Sequence, residues 1–499
     1  FPVRPTKDQQ VLLDFVKPDL DTPRTLWSTK VTNLELRRRV DQFGTGLVKI
    51  AGLVPADSNV LLLLNDGIEF LITDLALASH SIPSFTLTSM SLLSPVLDSH
   101  PPTAIITHAE FLPNLLELIY DTHEGSHHTI IVVGEPKVKI ARGLGQVRIF
   151  KWNDIEREAA QLEQVQVSPT DPKQVFTVSF YSTSSGELRG TQLTHENLTA
   201  GVAATRALLP LSGAISPLDT IASSHSMSSA FGRTVAYTAV YEGTNFATFA
   251  STKLVGTDEV ASQDLNDLKS VDTYPVPSPT ILFVSAFHLS ALTSAILDHA
   301  KRSSFLYSLA WRQKLAGILE GFTTKQSLWD RLVFDAARMG VMGKGAGTVR
   351  GVVVSRGALE TQALTPSRIA LSVPLVNSYI HPLVSGPVLA SHPLDLQVFP
   401  AEPASAGTSA TDNYAFTYLA PVGPPSINIE AKLVGVDDTA VENGSDPIGT
   451  LMLRGPSVGI VLDSEGKGVE GEKESDWVET GERAKVLSNG TFKVASVRK

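Results

Sequence analysis

Short apolar runs alternate with segments of helical period as far as Val354, and that alternation leaves few folds open to the chain. Asn59–Leu64, Ala104–Thr107, Thr129–Val133, Val175–Phe180, Thr280–Val284 and Gly351–Val354 read as strands apolar on both faces. Between them, Leu34–Val48, Ile68–Ala78, Glu110–Ile119 and Glu196–Leu208 repeat apolar residues at helical spacing. Strands buried on both faces belong to parallel sheets covered by helices on each side. An α/β architecture is therefore predicted, and 499 residues are too many for one core, so two to four subdomains are expected. From about residue 425 the rhythm changes. Ile427–Val434, Gly449–Arg454 and Phe492–Val494 alternate between Gly, Asp and Ser turns, which predicts a small antiparallel barrel or sandwich. Ala401–Asn413 and Asp437–Pro447 read as loops, and Glu470–Asp476 as a charged surface excursion.

Charge and composition exclude several classes. Lys and Arg total 41 against 51 Asp and Glu, a formal charge of −10, which argues against a nucleic-acid partner. There is no cysteine, so disulfides, thiolate catalysis and Cys-ligated metals are excluded. The most apolar stretch, Val60–Ala78, is interrupted by Asn65, Asp66, Glu69 and Asp74, so no transmembrane helix is expected. The expectation is a soluble chain without a leader at Phe1 or an address signal at its last residues. His123, His127 and His128 read as a polar surface loop rather than a metal site, because no helical ligand spacing accompanies them. Ser223-Ser224-His225-Ser226 lacks a nucleophile elbow and reads as a loop beside a ligand channel. Arg37, Arg38 and Arg39, flanked by Glu35 and Asp41, read as a solvated helix face. The sequons at Asn197 and Asn489 carry little weight without a leader.

Residues 179–198 hold the densest chemistry. A strand runs into the Ser/Thr/Gly-rich stretch Ser182-Thr183-Ser184-Ser185-Gly186, then Arg189 and Gly190, then a helix capped by Thr194. Hydroxyls and backbone N–H groups in such a loop can wrap a polyphosphate whose charge the cation neutralises. A solvated strand-to-helix loop fits the same composition.

Ser182–Gly190 followed by Leu193-Thr194-His195-Glu196-Asn197-Leu198 resembles the signature loop of adenylate-forming enzymes, the AMP-binding superfamily of acyl-CoA synthetases and luciferases. Thr32–Leu36, Pro55–Asp57, Ala104–Thr107, Gly423-Pro424-Pro425, Gly449-Thr450-Leu451, Leu453-Arg454-Gly455-Pro456, Trp477 and Thr480-Gly481-Glu482 follow in family order. Phe231-Gly232-Arg233, Tyr241-Glu242-Gly243, Pro279-Thr280-Ile281 and Asp330–Phe334 are similar to the long-chain acyl-CoA synthetases in particular. The resemblance implies the large N-terminal domain of that family, with two stacked βα subdomains, 1–180 and 181–395, and a small β-barrel-like subdomain, 396–499. It also implies a two-step ligation, in which a fatty acid and Mg-ATP give an acyl-adenylate and CoA then displaces AMP.

Several residues that such chemistry requires are replaced. By the resemblance, Thr183 stands at a glycine position, where a side chain restricts a loop that must approach phosphate closely. Leu188 stands for a proline, and Arg189 for a lysine, keeping its charge on a forked group. Arg356 stands for a small glycine beside adenine and is expected to fill the nucleotide pocket. Tyr379, the adenine-stacking aromatic, remains. Pro382 loses a hydroxyl, and Leu383 loses the carboxylate that holds Mg²⁺, since leucine cannot ligate a hard cation. Glu482 replaces an aspartate that holds ribose, reaching one methylene further. Ser229 stands where a histidine lines the acyl channel beside Phe231, with His225 out of register. Ser496 and Val497 stand at the hinge Asp and Arg, and the mobile C-terminal domain is expected to be absent.

These departures lead to the expectation of a pseudoenzyme that binds a long-chain acyl ligand or acts as an assembly subunit with a protein partner in fatty-acid metabolism. No cofactor is expected on that reading. ATP, Mg²⁺ and CoA enter only on the alternative, a divergent active fatty acyl-CoA ligase with Arg189 as loop cation. The expected setting is cytoplasmic, with peripheral membrane contact at the endoplasmic reticulum, lipid droplets or peroxisomes.

Overall fold

The structure, a computed structural model, describes residues 1–121, 129–135, 147–167, 170–183, 185–255, 264, 276–397, 416–462 and 476–495. The histidine loop at 123–128, Ser184, Ala401–Asn413, residues 470–475 of the acidic excursion, Ser496 and Val497 lie outside them. The predicted alternation becomes two mainly parallel sheets. In the first, strands run in the order Leu389–Ala390, Leu375–Tyr379, Gly351–Val354, Ile281–Val284, Thr220–Ser223, Asn245–Thr248, Arg24–Leu26 and Thr29–Val31. In the second the order is Ile460–Leu462, Leu188–Thr194, Val175–Ser182, Ser84–Leu87, Val60–Leu63, Ala104–His108, Thr129–Val133 and Arg148–Lys151. The interior pairings are parallel. The antiparallel ones are the end strands of the first sheet and, in the second, the hairpin 175–194 and the edge strand beside it.

The helices form where the sequence places them because their apolar faces are continuous. Helix Asn33–Lys49 is capped by Thr32, whose hydroxyl accepts from the Glu35 N–H at 3.2 Å. It buries Leu36, Val40, Phe43 and Leu47, and Phe43 stacks on Trp152 at 4.5 Å. Its arginines are not one solvated face. Arg37 donates to the carbonyls of Val16 and Leu13, and Arg39 pairs with Glu156 at 2.6 Å, so only Arg38 faces water. Arg233 of the Phe231-Gly232-Arg233 motif is also structural. It is fully buried on helix Ala230–Glu242, 3.5 Å from Asp74 and between the rings of Phe70 and Phe176. The Tyr237 hydroxyl donates to the same carboxylate at 2.9 Å.

The tail supplies the small antiparallel unit as one four-stranded sheet, Glu430–Val434, Ile448–Arg454, Val478–Val486 and Phe492–Ala495. Val478–Val486 was not foreseen as a strand, because its polar residues at Glu479, Thr480 and Glu482 hide the alternation. Asp437–Pro447 is not all loop either. Asp437 caps a short helix, Asp438–Glu442, by accepting from the Ala440 N–H at 3.2 Å.

Helix His195–Arg206 joins the three sheets. Thr194 caps it as predicted, accepting from the Asn197 N–H at 3.1 Å, while strand Leu188–Thr194 fills what was read as loop between Arg189 and the helix. The Asn197 amide donates to the carbonyls of Pro456 and Val458, at 2.9 and 3.0 Å, so this sequon is taken up in packing. Ser385 donates to the Asn197 carbonyl at 2.6 Å, and Asn428 to that of Ala200 at 2.8 Å. Gly201 lets the Ser385 backbone lie against the helix, since a Cβ there would sit 1.5 Å from the Ser385 carbonyl oxygen. Gly201→Ala is expected to cost about 3 kcal/mol or more in urea denaturation, because backbone blocks the added methyl and cannot rotate away. A loss below about 1 kcal/mol would contradict this contact.

Candidate ligand cavity

The carboxyl ends of the first sheet's strands open into a cavity of about 380 Å³. Ligands of open parallel sheets bind in this position, because loops diverge there and leave polar backbone free. Strand Thr220–Ser223 delivers His225 and Ser226, strand Gly351–Val354 delivers Arg356–Leu359, and strand Leu375–Tyr379 delivers Tyr379–Pro382. Thr88, Ser179, Tyr181 and Ser182 of the second sheet close the opposite side, and Glu482 of the tail sheet completes the wall.

Tyr379 and Glu482, separated by 103 positions, meet directly: the phenol donates to the Glu482 carboxylate at 2.5 Å. Burial, followed by the adjacent Glu482 charge, pushes the Tyr379 pKa well above its usual value, so the phenol stays a donor. Ser229 caps helix Ala230–Glu242, accepting from the Gly232 N–H at 3.2 Å and donating to the Ser226 carbonyl at 2.8 Å. Phe231, in the first turn of this helix, packs edge-on against His225 at 5.1 Å. Both Ser229 and Phe231 line the cavity.

The phosphate-loop candidates separate. Ser182 reaches the wall, but the turn beyond it is a closed hairpin. Thr183 N–H donates to the Glu187 carbonyl at 2.9 Å, Gly186 N–H to the Thr183 carbonyl at 2.9 Å, and Glu187 N–H to the Thr183 hydroxyl at 3.1 Å. The Thr183 hydroxyl also bonds that of Ser185 at 2.8 Å. Gly186 holds φ +85°, as the turn requires. Arg189 lies 3.4 Å from Glu187, half-exposed and off the cavity wall. Gly190 is inside the strand, where a Cβ would press on Phe180 and Val178 at 3.0 Å.

Leu383 is 3% exposed and packs in a cluster with Tyr181, Val388, Leu389, Ile429 and Leu451, outside the cavity wall. Glu482, the wall's carboxylate, is engaged by Tyr379, and the described residues hold no group of three His, Cys, Asp or Glu able to bind a metal. The residues present do not fit a divalent cation at this position. Arg356, expected to fill the pocket, instead stands exposed on its wall with the cavity open beside it.

His381 and Asp66 were missed by sequence reasoning, whereas the loop Ser223–Ser226 was read as lying beside a ligand channel and its His225 and Ser226 line the cavity. His225 bonds the Ser355 hydroxyl at 2.9 Å, and burial, then the Arg356 charge, then His288, push its pKa down to about 3. His381 accepts from the Leu383 N–H at 3.2 Å, and burial lowers its pKa to about 4. Asp66 accepts from the Ser226 hydroxyl at 3.0 Å and the Met227 N–H at 2.9 Å, which pins the loop leading to Ser229. Burial raises its pKa to about 6. For His381 the available signal was position, since it follows the end of a parallel strand, as His225 does. Asp66 gave none beyond breaking an apolar run.

A chain of this architecture, with its pocket at the strand ends facing a β-rich tail, has the form of an adenylate-forming enzyme. It belongs to the AMP-binding enzyme family, whose pattern matches residues 20–460. The long-chain-fatty-acid–CoA ligase 5 of Rattus norvegicus is 25% identical over 337 residues, 66% of this chain and 43% of that protein. The peroxisomal long chain acyl-CoA synthetase 7 of Arabidopsis thaliana is 24% identical over 463 residues, 86% of this chain and 57% of that one. The chain thus spans about half the length of these relatives. In fold it is similar to a long-chain-fatty-acid–CoA ligase from Archaeoglobus fulgidus, with a TM-score of 0.65 at 14% identity over 99% of this chain and 85% of that one. An anthranilate CoA ligase in complex with anthranoyl-AMP gives 0.65 at 16% identity, over 97% and 77%. Among the described residues no helix is long and apolar enough to cross a membrane.

The neutral His225 has a measurable consequence. Above pH 6.5 the ring is uncharged in both folded and unfolded chains. As pH falls below 6.5 the unfolded ring binds a proton that the folded one refuses down to about 3, so stability drops across that window. His225→Asn is expected to flatten the slope of unfolding free energy against pH by about 1.4 kcal/mol per unit near pH 5, read by urea denaturation at several pH values. An unchanged slope would mean that the ring titrates in the folded protein.

Proposed function

We propose that this protein is a non-adenylating relative of the acyl-CoA synthetases that binds a long-chain acyl ligand and acts as a ligand-binding or assembly subunit, with a protein partner, in fatty-acid metabolism. The observation that carries this reading is the burial of Leu383. Its side chain belongs to the apolar cluster beneath the tail sheet, so the position has gained a packing role incompatible with ligating a metal. The Tyr379–Glu482 hydrogen bond supports it, because the carboxylate that the resemblance assigns to ribose is engaged by the ring that it assigns to adenine. The internal bonding of Thr183, Gly186 and Glu187 supports it further, since those N–H groups are committed to the hairpin. Ser182, Ser229, Phe231, Tyr379 and Glu482 are the residues proposed to face the ligand.

The second reading, a divergent ATP-dependent fatty acyl-CoA ligase, draws on the open cavity at the strand ends and on Arg189 as a cation in the hairpin. The pairing of Arg189 with Glu187 weighs against it. The proposed setting is the cytoplasmic surface of the endoplasmic reticulum, lipid droplets or peroxisomes. Units 1–180, 181–395 and 396–499 are proposed to fold cooperatively, because Arg24–Leu26 and Ile460–Leu462 each complete a sheet of another unit and hairpin 175–194 spans the first boundary.

The test is pyrophosphate release by this chain with Mg-ATP, palmitate and CoA, paired with calorimetric titration of a non-hydrolysable palmitoyl-adenylate analogue. No turnover is expected, with analogue binding at about micromolar Kd, roughly −8 kcal/mol. Leu383→Glu is expected to restore no turnover and to cost about 3 kcal/mol or more in stability, as an unpaired buried carboxylate does. Turnover by the wild-type chain would overturn the proposal.

A further inference from the structure

Arg356 is the one residue of the cavity wall whose backbone is held in a conformation that its side chain disfavours. Its φ is +65°, in the left-handed region, and Gly357 follows at +93°. A bulky L-residue pays of order 1 kcal/mol to stand there, and such positions persist where neighbouring structure holds them. Here the Ala286 N–H donates to the Arg356 carbonyl at 3.1 Å, and Ser355 just before it bonds both the Val284 carbonyl and His225. Arg356 so held lines the cavity wall.

The electrostatic surroundings are unusual for a guanidinium beside a pocket. Among the described residues it has no ion pair and no side-chain hydrogen bond. His225, close enough for the Arg356 charge to depress its pKa, is neutral, and so is His381. Glu482, the wall's carboxylate, keeps its charge and accepts from the neutral Tyr379 phenol, not from Arg356. The wall thus holds one guanidinium with no ion-pair partner among the described residues, hydroxyls that include those of Ser182, Ser226, Ser228 and Ser229, and one carboxylate, Glu482, that is bonded to Tyr379. A planar fork of donors in that setting matches an oxyanion, which it can hold through two parallel charge-assisted hydrogen bonds.

We infer that Arg356 anchors the anionic end of the cavity's occupant, and that the occupant carries a carboxylate or a phosphoryl group recognised through this guanidinium without a metal ion. This deepens the ligand-binding reading above and rests on it. The shared chemistry is an oxyanion, and its two sources are the free carboxylate of an acyl chain and the phosphoryl group of a nucleotide.

The experiment titrates this chain, and its Arg356→Gly and Arg356→Lys variants, with palmitate below its micelle concentration, with AMP, and with hexadecanol as the uncharged chain of equal length. Wild type is expected to bind palmitate or AMP, and whichever binds identifies the source. Arg356→Gly is expected to weaken that binding by about 10- to 100-fold, the loss typical of a hydrogen bond to a charged group. Arg356→Lys should fall between, and hexadecanol should bind all three alike. The thermal midpoint of Arg356→Gly should be no lower than that of wild type, since glycine accepts a φ of +65°. A merely structural arginine would lower stability and leave the anion preference unchanged. Wild-type binding to neither anion, or undiminished anion binding by Arg356→Gly, overturns the inference. Pyrophosphate release assayed on the same samples separates the two claims: turnover with anion binding lost in Arg356→Gly would reject the non-adenylating reading and leave Arg356 as the anchor.

Discussion

The approach of Ser385 to Gly201 is the contact on which the arrangement of the three sheets depends. A hydrogen there in place of any side chain lets a loop of the first sheet lie on a helix that follows directly from the second. Asn197, Asn428 and Ser385 then bind the tail unit to the same helix through backbone carbonyls, bonds whose geometry tolerates little displacement. The cavity's walls come from all three sheets that this joint holds together, so its shape does not belong to any one element.

Burial sets the electrical character of that cavity. Its two histidines are neutral at physiological pH because an imidazolium would lose its hydration there. Its tyrosine and glutamate satisfy one another. Charged groups elsewhere in the core, such as Arg233 with Asp74 or Lys314 and Arg338 with Asp330, are consumed in packing between helices. Arg356 is the exception on the wall, and its strained backbone marks it independently of its charge.

Much of the fold was legible because strands buried on both faces and helices with one apolar face leave distinct periodicities. Thr129–Val133 and Gly351–Val354 were bounded to the residue, and Thr194 was recognised as a cap from its place before the helix. Strands Leu188–Thr194 and Val478–Val486 were not legible. Both are antiparallel, with polar residues on the open face, and both overlap motifs that draw the eye to chemistry instead. The candidate site was legible only as a set of types. Arg356 was expected to obstruct the pocket because its size was visible and its backbone direction was not.

The sequence by itself determined that this is an α/β chain of the AMP-binding family, without cysteine chemistry. Those are properties of residue identity and local period, which survive in a string. Only the tertiary structure decided that Leu383 had joined a core, that Tyr379 and Glu482 occupy one another, and that His225 faces the pocket while Arg189 does not. Each of these depends on where distant strands end relative to one another. That is set by packing across the Gly201 joint, and no local pattern encodes it.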